Sequence, residues 1–486
     1  MPYKIVAIGS VLIAALLAAA PPAPADPLGD QVHEVRDAVV PSTVMVSYAV
    51  QRDDGSKPDI HLMGTVVGPG NLVMFASVAI PSALSISQFK DFRVIVSKGD
   101  EQESFVAEYL GKDDESQVAF LRVTDPKAPA LPPLAFERGV DLAVGDPVVT
   151  FSHLGEPDRY ERLARLVRIS GRVDQPVTAY VTIESLGSPG TPVVTLDGKA
   201  MGIVGLVRVN RNTNARPDWT TMEVVWPAER FVERIKNLPK GGAIVHHAWL
   251  GAYTLTPVTR DLAAYFKMGE RRGVVVGQIV EKSPAEKAGL AVEDVILAVG
   301  GKDIKGTEGQ LVESFLNDIR ARKPGETVTL TVWRGGKTQD LKVTLEAEPK
   351  TAAEAERYRS APVGLLVREM VMEDCLSREL PASETGVVVA HVTSASWAAD
   401  AGLKAGDVVK KVQDQDTPAL AEFRKVFDAE VRKRPKEIVL FVLRGTKDTQ
   451  LVRIETRWSA APPAKMAPAV PAEKTKAETP APNLRK

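Results

Sequence analysis

The sequence predicts a mainly β protein, with two β-barrels in the first half of the chain and then two copies of one smaller α+β domain. Three observations carry that prediction. Between Val39 and Asn237, short runs of β-branched and other apolar residues alternate with turn residues, and helical spacing is confined to the end. Further on, "GVVVGQIVEKSPAEKAGLAVEDVI" (Gly273 to Ile296) and "GVVVAHVTSASWAADAGLKAGDVV" (Gly386 to Val409) align without a gap, with 11 of 24 positions identical. The length, 486 residues, leaves room for about three domains, each able to bury a core of its own.

Taken in order, the chain opens with Lys4 ahead of an unbroken apolar run, Ile5 to Ala20, followed by small residues and prolines up to Asp26. A positive residue, an apolar run and small residues form the order of a secretory signal, here residues 1–25, with Ala23 and Ala25 placed for cleavage after Ala25. The run is shorter than the ~20 residues that span a bilayer comfortably. An uncleaved anchor is the alternative reading. The chain has one cysteine, Cys375, so no internal disulfide framework supports an exported fold, and this thiol reads as a small buried hydrophobe. A net charge of −1 without a basic block gives no reason to expect a nucleic-acid partner. Nothing in the sequence calls for a cofactor. His246-His247, adjacent in a linker, lack the spacing and further ligands of a metal site.

The barrel region, residues 27–240, is read from "STVMVSYAV", "HLMGTVVG", "NLVMFASVAI", "FRVIVS", "QVAFLRVT", "DPVVTFS", "PVVTLDG" and "AMGIVGLV", each a strand bounded by turn residues. "PAERFVERIKNL" is the closing helix. The repeats follow at 249–347 and 361–456. A constant offset of 113 carries Gly273 onto Gly386 and Leu250-Gly251-Ala252 onto Val363-Gly364-Leu365; by "VTLTVWRGG" and "IVLFVLRGT" it has fallen to 110. In each copy "GVVV" is a buried strand, and "SPAEKAGL" or "SWAADAGL" is one helical turn closed by glycine. A helix follows, with its apolar side on Leu311, Phe315 and Ile319 in one copy and on Leu420, Phe423 and Phe427 in the other. Phe315 and Phe423 are expected in the cores. The last segment, 459–486, is rich in Ala, Pro and Lys and has too little apolar bulk to order itself.

The Ala-Gly-Leu turn followed by Glu-Asp-Val or Gly-Asp-Val, with the short loop at the matching offset, resembles the PDZ domains that follow HtrA (Deg) proteases. The barrel region is similar to the same family in order and spacing: "HLMGTVVGPGNLVMFASVAI", "GKDDESQVAFLRVT" and "AVGDPVVTFSHLGEP" each resemble a family segment. The resemblance therefore implies a trypsin-like double β-barrel followed by two PDZ domains. It also implies that Leu250, Gly251 and Ala252, and Val363, Gly364 and Leu365, hold the carboxylate of a peptide added to a sheet edge.

The catalytic pattern departs from the family. The histidine position is Ser77, the aspartate position Gln117, and the serine position Pro189, in "ESLGSPGTPVV". A neutral hydroxyl cannot act as general base, and an amide carries no charge to stabilise an imidazolium. Proline offers neither a nucleophile nor the backbone N–H that serves as one oxyanion donor in this fold. The expectation is therefore a pseudoprotease of the periplasm or cell envelope that binds protein C-termini or unfolded segments, as chaperone, adaptor or regulator. The resemblance further implies a homotrimer, or a mixed trimer with an active relative. Two rivals stand beside it: an active serine endopeptidase with Ser188 as displaced nucleophile and a base not yet placed, since His61 and His153, the histidines within the barrel segments, read as surface or turn residues, and a structural envelope protein whose grooves hold its own segments.

Overall fold

Six strands close the first barrel in the computed structural model, which describes residues 26–458 apart from 83, 99–100, 155–160, 175–177 and 211–218. The signal expected at 1–25 and the tail expected at 459–486 lie outside the described residues. The strands are β1 (Thr43–Val50), β2 (Asp59–Gly68), β3 (Leu72–Ala76), β4 (Phe89–Lys98), β5 (Glu101–Asp113) and β6 (Val118–Val123). They run β5-β4-β1-β2-β3-β6, and β6 pairs back onto β5. Alternate residues point inward, so Val46, Val66, Val73, Phe75, Val94 and Leu121 fill the interior. Gly64 is required there: a Cβ on it would lie 2.8 Å from both Val46 and Val73.

The second sheet contains β7 (Pro147–His153), β8 (Arg162–Arg168), β9 (Gly171–Val173), β10 (Ala179–Val181), β11 (Pro192–Thr195), β12 (Ala200–Asn210) and β13 (Trp219–Pro227). Its order is β8-β7-β11-β12-β13-β10-β9. β8 and β9 are one kinked segment, in which Ile169 N–H donates to Asp146 O and Ser170 N–H to Val181 O. The segment pairs with β7 at its start and with β10 at its end, which brings the two ends of the sheet together. Leu72, Met74, Val118 and Phe120 of the first barrel pack with Ile203, Val224, Trp226 and Phe231, so the junction of the barrels is an apolar core. The closing helix is a short turn plus α2 (Val232–Lys236), preceded in the chain by α1 (Pro27–Val39). The strand pattern gave no sign of α1. Its Val35 and Val39 are buried against Val149, Phe151 and Val194 of the second barrel.

The chain then passes through β14 (Ala243–Ile244), which pairs with β5, into the first repeat. This repeat comprises β15 (Ala248–Trp249), β16 (Ala252–Tyr253), β17 (Thr256–Pro257), α3 (Arg260–Tyr265), β18 (Val274–Val275), β19 (Gln278–Ile279), α4 (Pro284–Lys287) and β20 (Val295–Val299). It ends with β21 (Lys302–Asp303), α5 (Leu311–Arg320), β22 (Thr327–Arg334), β23 (Lys337–Thr344) and β24 (Glu346–Ala347). The second repeat has β25 (Arg357–Ser360), β26 (Leu365–Glu369), α6 (Met372–Ser377), β27 (Val387–Val392), α7 (Trp397–Asp400) and β28 (Val408–Val412), then β29 (Gln415–Asp416), α8 (Leu420–Lys433), β30 (Glu437–Arg444) and β31 (Asp448–Glu455). Contacts divide the described residues into two units. One lies within Met1–Arg357 with Glu369–Thr385; the other is Tyr358–Arg368 with the described part of Gly386–Lys486.

The repeats are built alike. Phe315 and Ile319 anchor one core, and Phe423 and Phe427 the other. Ser283 and Ser396 cap the single helical turns by accepting the N–H of Glu286 and Ala399. Arg334 grips buried Asp294 and also donates to Gly289 O (2.7 Å). Arg444 does the same to Asp407 and Gly402 O (2.9 Å). Cys375 is buried. Among the described residues no helix is long and apolar enough to cross a membrane.

Candidate functional sites

The structure brings Ser77, Gln117 and the loop around Pro189 to one place between the barrels. Ser77 follows β3 and Gln117 precedes β6, and because these strands pair, Ser77 N–H donates to Gln117 O (3.0 Å). Gly190, directly after Pro189, packs on the end of β3: a Cβ there would sit 2.9 Å from Ala76 N. Gly190 has φ +87° and Gly187 φ +108°, so the turn uses conformations that side chains resist.

Each of the three positions has a defined state. Ser77 is buried. Gln117 reaches across to the second barrel, where its Oε1 accepts from Leu206 N–H (3.1 Å) and Trp226 Nε1–H (2.9 Å) while its Nε2 donates to Leu206 O (2.9 Å). Its amide is consumed as a clamp between barrels. Pro189 has no N–H, and the neighbouring Gly190 N–H is spent on Val204 O (2.8 Å). Gly187 N–H donates to Ser185 Oγ (3.3 Å). Glu223, which the sequence reading missed, fixes this loop by accepting from Leu186 N–H (2.8 Å) and Ser185 Oγ (3.0 Å).

Ser188 is exposed, and its carbonyl accepts from Thr191 N–H (3.1 Å) to close the turn. His153, at the end of β7, has its Nδ1 3.0 Å from Met63 Sδ. Burial, then the charge of Arg162, lowers it to about 4, so the ring is neutral and a weak base. His61 lies on β2 opposite Ser47.

Leu250, Gly251 and Ala252 line a groove of about 280 Å³ in the first repeat. Its other wall is α5, through Val312, Phe315, Leu316 and Ile319. The loop is rigidly held: Ala285 N–H donates to Leu250 O (2.8 Å) and Val280 N–H to Gly251 O (2.9 Å). Gly251 has φ +85°, and a Cβ on it would lie 2.2 Å from Ser283 Cβ. Among the described residues no acceptor takes the Gly251 N–H. Among the described residues β16 pairs only with β19, which leaves its other edge open. An open strand edge, an unpaired N–H at its start and an apolar wall can together receive an extended peptide with a terminal carboxylate.

Val363, Gly364 and Leu365 hold the same place in the second repeat. Ala398 N–H donates to Val363 O (3.1 Å) and Thr393 N–H to Gly364 O (2.9 Å). Gly364 has φ +74°, with a built Cβ 2.2 Å from Ser396 Cβ. One feature differs: Gly364 N–H already donates to Ser360 O (2.9 Å) and approaches Ala361 O (3.2 Å).

His246 and His247 diverge rather than forming one site. His246 Nε2 lies 2.7 Å from Glu354, and His247 Nε2 lies 2.8 Å from buried Asp113. Burial alone would raise the Asp113 carboxyl, but His247, with Arg234 beside it, outweighs burial and holds it at about 2. Burial would likewise lower His247, and Asp113, Glu348 and Glu115 reverse that and raise it. Through this pair the linker after the closing helix is tied to the end of β5.

Comparison with known proteins follows the same division. The trypsin-like peptidase domain family matches residues 63–203, and the PDZ domain family matches residues 258–345. A protein of Brucella suis, named a probable periplasmic serine endoprotease of the DegP-like kind, is 26% identical over 406 residues, covering 81% of this chain and 74% of that one. A protein of Hahella chejuensis with the same name is 28% identical over 343 residues, covering 68% of each chain. Among solved structures, a substituted variant of the HtrA-type protease AlgW, with a decapeptide, superposes with a TM-score of 0.51 at 16% identity, over 65% of this chain and 98% of that one. That likeness establishes a shared fold.

Proposed function

Because this chain belongs to the HtrA/Deg family of trypsin-like proteases that carry PDZ domains, we propose that it is an exported, periplasmic member that captures polypeptide ends and does not cut them. One observation carries the reading: the loop that would supply the nucleophile and an oxyanion donor has Pro189 at its centre, flanked by Gly190, whose N–H is spent. At the nucleophile's own position such a loop has no group to attack a carbonyl, and neither Pro189 nor Gly190 offers an N–H to hold the resulting oxyanion. Gln117, occupied by three hydrogen bonds across the barrels, is a structural clamp in the place of an orienting carboxylate.

Capture falls to the first groove. A peptide adds antiparallel to the open edge of β16, its terminal carboxylate takes the Gly251 N–H, and its last apolar side chain lies against Val312 and Leu316. Held segments of envelope proteins are then protected or passed on, so the protein acts as chaperone, adaptor or regulator of an active relative. The relatives named serine endoproteases favour a second reading, in which Ser188 is a displaced nucleophile.

Fluorescence anisotropy with the full mature chain tests capture. The probes are a labelled decapeptide with an apolar C-terminal residue and its C-terminal amide. The acid should bind at least ~10-fold more tightly than the amide, since a charge-assisted hydrogen bond is lost. Leu316→Arg should abolish binding. Equal affinity of acid and amide, with no effect of Leu316→Arg, would sink the reading.

A further inference from the structure

The two repeats offer equivalent loops and grooves, but the chain approaches them differently. Ahead of the first loop, Ala243–Ile244 pairs with β5 and His247 is held by Asp113, so the approaching segment lies on the barrel and the groove stays open. The matching segment of the second repeat is β25, and it turns back onto its own domain.

Four features of that segment coincide with those of a bound peptide. First, β25 takes the outer edge of β26, the strand that follows the loop, so β26 has neighbours on both sides where β16 has one. Two adjacent strands joined by four residues run antiparallel, the direction in which a C-terminal peptide adds. Second, Ser360, at the loop end of β25, is buried and offers its carbonyl to Gly364 N–H at 2.9 Å, as a terminal carboxylate would. Third, Tyr358, two residues earlier and on the same face, lies edge-on to Phe423 (5.9 Å) and Phe427 (6.4 Å). Fourth, the Tyr358 hydroxyl donates to Asp428, and the Arg424 guanidinium sits 5.6 Å over its ring. Phe423, Arg424, Phe427 and Asp428 on α8 repeat the spacing of Phe315, Leu316, Ile319 and Arg320 on α5, which wall the open groove.

We propose that the second groove is filled by the chain's own segment Tyr358–Ser360, a built-in pseudo-ligand, so that in the resting protein only the first repeat takes a peptide. The proposal rests on the reading that these repeats bind peptides by strand addition. An incoming peptide must displace the Tyr358 ring and the Ser360 carbonyl before it can reach Gly364. Because β25 is covalently joined to the loop, its effective concentration there is high. The second site is therefore silent until the segment is drawn off.

Two measurements on the full mature chain test this. The first is calorimetric titration with the acid-ended decapeptide. The parent should bind one peptide per chain, and Leu316→Arg none. Tyr358→Ala should bind two, and Leu316→Arg/Tyr358→Ala one. Two peptides bound by the parent, or one by a Tyr358→Ala protein whose circular dichroism is unchanged, would overturn the proposal. The second measurement needs no substitution: hydrogen exchange at the two loop glycines without peptide. Gly364 N–H should exchange at least ~10-fold more slowly than Gly251 N–H, because it is bonded inside a hairpin. Equal exchange at the two glycines overturns the proposal even if Tyr358→Ala fails to fold. If no peptide binds any variant, the capture reading fails, while the exchange comparison still decides the state of the second groove.

Discussion

Gln117 is the residue whose replacement separates a structural role from a catalytic one. It sits at φ +57°, a left-handed conformation that costs a side chain about 1 kcal/mol. In return, its amide makes three hydrogen bonds to Leu206 and Trp226 across the barrel junction. Each contributes about 1 kcal/mol net, and an unpaired partner left in a buried site adds to the loss. Trp226 is 5% exposed, so its Nε1–H would find little water once the amide is gone. Gln117→Ala should therefore destabilise the barrels by about 3 kcal/mol. Gln117→Gly should cost about 1 kcal/mol less than alanine, because glycine relieves the left-handed backbone. Gln117→Asp, shorter and without a donor for Leu206 O, should be at least as unstable as alanine and should gain no activity. Urea unfolding followed by tryptophan fluorescence, with separate transitions fitted for separate units, reads these differences. If Gln117→Ala lies within about 0.5 kcal/mol of the parent, the amide is not a clamp and the reasoning fails.

Two further predictions rest on paired charges. Arg334→Ala and Arg444→Ala each leave a buried aspartate, Asp294 or Asp407, without its guanidinium, and because both arginines are partly exposed each should cost about 1–3 kcal/mol in its own repeat; thermal unfolding should show a loss in each, and no loss in either would contradict the pairing. His247, raised by Asp113, contributes stability that is full below pH 6.5 and is lost as pH rises through its folded value, whereas Asp113, held at about 2 against an ordinary 3.8, contributes about 2 kcal/mol above pH 3.8 that is lost as pH falls towards 2. The thermal midpoint of the parent should fall as pH rises above 6.5 through the folded value of His247, and Asp113→Asn should be lower throughout and flat over that range; an equally sloping profile for the variant would refute the pairing.

The repeats were legible because their signals are local. A buried β-branched strand, a serine-capped turn and a glycine closing it recur at a fixed offset, and each acts within a few residues. Most barrel strands were legible for the same reason. β5 was not: its first four residues, Glu101 to Ser104, are exposed and polar, and burial begins only at Phe105. α1 was passed over because its apolar positions, Val35 and Val39, acquire meaning only against β7 and β11. At the candidate site, Ser77, Gln117 and Pro189 were singled out in the chain, but the contacts they make could not be read there. The partners of Gln117 lie 89 and 109 positions away. The two loop glycines look equivalent in sequence, and the difference between them lies in where the preceding strand goes, onto the barrel in one case and onto β26 in the other.

The central claim is that this family member binds and does not cut, and proteolysis tests it most directly. Reduced, unfolded casein would be incubated with the purified mature chain beside Ser188→Ala, and its fragments followed by mass spectrometry. The account predicts intact casein in both, because Pro189 supplies neither a nucleophile nor an oxyanion donor. Cleavage by the parent that disappears in Ser188→Ala would contradict it and would identify Ser188 as the nucleophile.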